Sequence, residues 1–329
     1  MGLGDLDGAV ATAGRFVDRV PGPESMQSLV DAQLRKGDFE AAYATALPLS
    51  QLAEANSEQV LGPGGVRLYQ GDAAAARAEF EKLATAPSAR VRRDGHKGLA
   101  WVLVFEGRYR PAFKELDVVM ALDRELGDRG DLAREMSYRA FLLAVGFGAA
   151  PQTIREVDEW LTKALELKSE DWIAHFYALR AWLALGELER ATKVEDFQAT
   201  VDSFRKLLLE TTRLRRENHL EAAQATLEEA FSHTDLPGGG IDLLMEAYGS
   251  QPQKALAVMA RIELLRGHKS PDFWSLWVYL YPHAQWLAYQ ADRAQNDSAA
   301  AAAVLSQLKA RWANAEPEVR DVALVKAAN

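Results

Sequence analysis

Lys36-Gly37-Asp38-Phe39-Glu40-Ala41-Ala42-Tyr43-Ala44-Thr45-Ala46-Leu47-Pro48-Leu49 is a helix stop followed at once by a helix start. Glycine takes the left-handed conformation that ends one helix, and the polar residue after it can cap the next. The alanine five positions after the glycine lets two helices approach closely. The phrase recurs as Gly4-Asp5-Leu6-Asp7-Gly8-Ala9, Gly71-Asp72-Ala73-Ala74-Ala75-Ala76, Gly107-Arg108-Tyr109-Arg110-Pro111-Ala112 and Gly186-Glu187-Leu188-Glu189-Arg190-Ala191. In a sixth copy, Asn218-His219-Leu220-Glu221-Ala222-Ala223, asparagine replaces the glycine. The first four glycines lie 33, 34 and 36 residues apart, and Gly186 to Asn218 is 32. That is the period of a helix–turn–helix repeat.

Between these turns the apolar spacing is helical, as at Phe80 and Leu83, Leu99 and Leu103, and Leu116, Val119 and Leu122, with no strand alternation. Two interruptions are expected. The run Gly62-Pro63-Gly64-Gly65 should shorten or break one first helix, and residues 149–154 have the composition of an insertion. The stretch from Ala191 to Arg216 carries no clear breaker, which leaves its turn unassigned.

At these residues the chain resembles the tetratricopeptide repeat family, whose second helix opens with Gly-Asp-Tyr/Phe-x-x-Ala and whose repeat often closes on a proline, here Pro21 after the Gly4 copy. The resemblance implies an all-α, right-handed α-solenoid of antiparallel helix pairs. It covers residues 1–235, and 236–329 read as divergent C-terminal repeats and a cap continuous with the array. Gly4 opens a second helix with no first helix before it. Since solenoids normally cover their ends with a capping element, this points to a fragment of a larger protein. The segment Ala310-Arg311-Trp312-Ala313-Asn314-Ala315-Glu316-Pro317-Glu318 is similar to the end of bacterial signalling proteins in which such arrays follow a kinase, cyclase or winged-helix domain.

Composition bounds the function. Of the 329 residues, 48% are hydrophobic and 26% charged, as in a soluble folded protein. The absence of cysteine excludes disulfides and thiolate metal sites. A net charge of −9 argues against general nucleic-acid binding. No apolar run of about 18 residues and no signal peptide appears, so a cytoplasmic location is expected. The chain contains no phosphate-binding loop, no His-Glu-x-x-His and no nucleophile elbow. His96, His175, His219, His233, His268 and His283 include no i, i+4 pair for zinc. No catalytic residue, metal or cofactor is therefore assigned.

The expected activity is binding. In the family that the chain resembles, the first helix of each pair lines a concave groove. Arg93, Lys97 and Trp101 lie four apart on one stripe of a first helix, and Arg134, Tyr138, Arg139 and Arg180 follow in later repeats. Exposed in a groove, they would form a basic, aromatic strip suited to an acidic or phosphorylated peptide. The carboxylate clamp of chaperone-binding family members is less well matched, because Trp101 stands where an asparagine would be wanted. The competing expectation is a ligand-sensing regulatory domain of a signalling protein (kinase, cyclase or transcription regulator). Its pocket would lie near Trp274, Trp277 and Trp286, in the aromatic helix of a pair expected at about 271–313, following another pair at about 241–266; Pro282 should kink that helix, which should be buried on more than one side.

Overall fold

The computed structural model describes residues 5–51, 56–167, 171–194, 199–233, 251–264 and 271–328. Within them the chain is helical throughout, with no strand. The expected 235/236 boundary lies outside the described residues.

The repeats are α1 (Leu6–Arg19), α2 (Pro23–Lys36), α3 (Phe39–Ser50), α4 (Ser57–Gln70), α5 (Ala73–Ala84), α6 (Ala89–Phe105), α7 (Tyr109–Leu126), α8 (Arg129–Phe147), α9 (Pro151–Leu167), α10 (Trp172–Leu185), α11 (Leu188–Thr192), α12 (Ala199–Arg216) and α13 (Leu220–His233). They are followed by α14 (Pro252–Leu264), α15 (Pro271–Ala294), α16 (Ser298–Arg311) and α17 (Arg320–Ala327).

The Gly-Asp phrase is the hinge of each pair. Gly37 and Gly71 sit at φ of 82° and 90°, and Asn218 takes the same region at 62°. Asp38 and Asp72 then cap α3 and α5 by accepting from the backbone N–H of Ala41 and Ala75. The carbonyls left free at one helix end and the amides at the next are thus satisfied within a few residues of chain. Each helix packs on its neighbour in sequence, and the first helices also meet one another, α2 on α4, α4 on α6 and α8 on α10. Two layers result, an inner one of even-numbered helices and an outer one of odd-numbered helices.

The Gly62–Gly65 run does not break its helix. α4 is continuous from Ser57 to Gln70 with Pro63 inside it, and the glycines serve packing instead. A Cβ on Gly64 would collide with the Phe80 ring, and one on Gly98 of α6 would collide with the same ring. Phe80, fully buried in α5, therefore fills a notch cut by glycines on two first helices. Nor do residues 149–154 form an insertion. Gly148 ends α8 at φ 68°, and Pro151 opens α9 in the first-turn position where its missing N–H costs nothing. After the short α11, residues 195–198 lie outside the described set.

The last helices fold onto the inner layer. α15 runs unbroken through Pro282 and packs on α4, α6, α14, α16 and α17, which buries it on several sides as its aromatic content requires. α14 touches α2, and α17 touches α8.

Candidate functional site: the inner face of the helix pairs

The stripe Arg93–Lys97–Trp101 faces the seam between repeats. Arg93 is buried and donates to Asp94 (2.9 Å), Asp131 (2.6 Å), Asp123 (3.4 Å) and the Ser57 hydroxyl (2.9 Å), with Asp128 at 4.0 Å. Lys97 reaches Glu135 at 2.6 Å. Arg134 bridges Asp131 (3.0 Å) and Asp171 (2.8 Å), the residue that caps α10. The chain of hydrogen bonds and ion pairs therefore runs from α4 through α6, α7 and α8 to α10 and ties first helices of successive repeats together. Burial works against the Arg93 charge, but Asp94 and Asp131 outweigh it and hold the guanidinium firmly protonated.

Asp123 has the opposite balance. It is fully buried, its Oδ2 has no hydrogen-bond partner, and desolvation with the nearby Glu135 charge pushes its pKa up to about 7 against the opposing pull of Arg93. Asp131 is lowered, because Lys97, Arg93 and Arg134 outweigh its desolvation.

The raised Asp123 value fixes the sign of a pH effect. Below about pH 4 the group is neutral folded or unfolded and costs nothing. Between there and about pH 7 the unfolded carboxyl ionises first, so stability falls as pH rises. Asp123→Asn removes that fall and gains up to roughly 4 kcal/mol at pH 8 over wild type relative to pH 4. Urea midpoints at the two pH values give the check. An Asn variant whose midpoint tracks wild type at both would show that the carboxylate is not strained.

The other expected groove residues are also packed away. Trp101 is 0% exposed, with its ring edge-on to Phe80 and Lys97 above it. Tyr138 is 1% exposed against Tyr177 of α10, and Arg180 is 5% exposed. Arg139 points to the outer layer: it bonds Asp117 and the Phe113 carbonyl on α7 and lies between the Phe113 and Trp160 rings. Adjacent positions on a helix are about 100° apart, which is why Tyr138 and Arg139 cannot share the inward face. An open groove presenting Lys97, Tyr138, Arg139 and Arg180 to solvent is therefore not the arrangement found. The carboxylates that engage these cations stand up to 38 residues away, a separation at which the sequence carries no pairing signal.

What occupies the inner face is α15. Trp277, 1% exposed, stacks on Phe105 of α6 at 5.6 Å and on Tyr281 at 4.8 Å, and meets the edge of Tyr69 of α4 at 4.6 Å. Tyr279 is edge-on to Phe141 of α8 at 5.3 Å. Trp286 is buried against Tyr289, while the side chain of Trp274 lies outside those described. A crevice beside Trp277, with room for no more than about one water, is lined by Gly65, Leu68, Tyr69, Trp101 and Val278. Pockets for drug-sized ligands run from about 300 Å³ upwards. Among the described residues there is no cluster of His, Asp or Glu suited to a metal ion, and no helix long and apolar enough to cross a membrane. His96 pairs with Glu115, His175 with the Asp171 carbonyl and His283 with Asp321.

No protein-family model matches the chain, and no curated protein does. Among solved structures it is similar to the TPR domain of P58(IPK), at 16% identity over 98% of this chain and 93% of that one, with a TM-score of 0.28. The helix pairs themselves, with their left-handed glycine and asparagine turns and stacked first-helix layer, make this chain an all-α solenoid of antiparallel helix pairs.

Proposed function

We propose that the chain is a non-catalytic protein-interaction scaffold whose inner face holds an apolar, aromatic-bearing helix. The observation that carries this reading is α15 itself, a helix laid across α4 and α6 with Trp277 set between Tyr69 and Phe105. A helix seated in a groove of other helices by an aromatic anchor is a recurring mode of peptide recognition. An acidic or phosphorylated peptide gains less support, because Arg93, Lys97, Arg134 and Arg139 already pair with carboxylates of this chain. The sensor reading gains little from a crevice smaller than a typical ligand pocket.

Site-specific photo-crosslinking in the source cell tests the scaffold. A photoreactive residue in place of Arg134, the most exposed cation of the inner strip, should yield a discrete polypeptide adduct, and one in place of the half-buried outer residue Glu156 should not. Adducts from position 156 with none from 134 would sink the reading.

A further inference from the structure

The helix on the inner face is bound in the manner of a docked partner. Its centre is a ring cluster, with Trp277 between α4 and α6. The segment between α16 and α17 adds a polar edge: Arg110 on α7 pairs with Glu318 at 2.8 Å, and the Arg110 N–H donates to Glu316 Oε2 at 2.8 Å. Apolar core and polar rim are the anatomy of an interface between separate molecules.

The contact is also imperfect. The Trp277 indole N–H is buried and has no hydrogen-bond partner. Arg311 of α16 lies 4.3 Å over Phe105 and 5.7 Å from Tyr281, bonded to the Gln285 carboxamide, and no described carboxylate pairs with it. Burial lowers its pKa to about 10. A buried donor and a half-buried cation left in this state weaken a packed contact. The crevice beside Trp277 is a packing fault of the same kind.

A single turn clasps the end of the unit. Trp312 donates its indole N–H to the Phe105 carbonyl (3.1 Å), and the Glu316 N–H donates to the Gly107 carbonyl (3.1 Å). Gly107 stands at φ 71°, and a Cβ there would lie 2.8 Å from both Ala315 and Val322, so the turn is shaped to receive this segment. Glu316 in turn caps the start of α7, which has no side-chain cap of its own.

We propose that α15–α17 is a displaceable plug, held by the Trp312–Glu316 clasp on Gly107, and that a partner helix bearing aromatic residues takes the place of α15 on α4 and α6 when the clasp opens. This rests on the scaffold reading above.

The test uses the full-length chain, a Trp312→Ala/Glu316→Ala variant, and as probe a synthetic peptide spanning residues 277–294. Fluorescence anisotropy should show the peptide binding the variant at least ten-fold more tightly than wild type, and a Trp277→Ala peptide losing at least ten-fold of that affinity. Hydrogen exchange should show α15 amides opening faster in the variant while α2–α5 keep their protection. If the double variant loses helical content, Glu316→Gln, which keeps every apolar contact, replaces it with an expected gain of about three-fold. A folded variant in which α15 exchanges no faster than α4 and the peptide binds no better than to wild type overturns the plug and leaves the scaffold standing. A variant in which α15 opens but no peptide binds overturns the scaffold reading, and the plug's partner with it.

Discussion

Arg93→Ala should lower stability by about 3–5 kcal/mol, among the largest losses a single substitution can cause in this chain. The arginine lies within reach of four carboxylates, Asp94, Asp123, Asp131 and Asp128, two of them almost wholly buried. Removing it leaves Asp94 and Asp123 without their nearest counter-ion in a poorly solvated seam. Most of the cost is thus the exposed repulsion, and only a smaller part the lost bonds. Lowering that charge should restore stability, so Arg93→Met combined with Asp94→Asn and Asp123→Asn is expected to recover more than half of the loss. Urea unfolding of the variants gives the cycle. A loss under about 1 kcal/mol for Arg93→Ala would mean that the network is solvated and contributes as a surface ion pair does.

Gly95→Ala should destabilise by roughly 2–3 kcal/mol even though alanine is the better helix former by about 1 kcal/mol. The sign follows from what the methyl would meet. Gly95 lies inside α6, and a Cβ there would come within 2.6 Å of the Leu83 carbonyl carbon and 2.7 Å of the Ala84 Cα. Those are backbone atoms of α5, which cannot rotate aside as a side chain could. The two helices must part, and the notch that holds Phe80 opens with them. Thermal melts of wild type and variant decide the matter, since a raised midpoint would show that the helices give way and that propensity prevails.

The hinges were legible because each is local: a glycine or asparagine, a capping carboxylate and an alanine within a few residues. Asn218 shows how far that reading extends, since its φ of 62° is the glycine conformation in another residue. The stripe Arg93–Lys97–Trp101 was legible as a stripe. Its direction was not, because the choice between solvent and the next repeat depends on Glu135 and Asp131, far along the chain. Gly64 reads as a breaker in the sequence for the same reason, since only Phe80, brought in from the following helix, gives its missing side chain a use. The aromatic content of α15 indicated burial on several faces. That its covering surface is the inner layer of the same array is a tertiary fact with no local signature.

Positions 64, 80 and 98 share one volume and not three. Bulk added at either glycine must be surrendered by the ring, so over evolutionary time these sites can change only as a linked set. Among diverged copies of this fold, a side chain at 64 or 98 should be found with a small residue at 80, a correlation that would mark descent from this packing even where the Gly-Asp hinges have eroded.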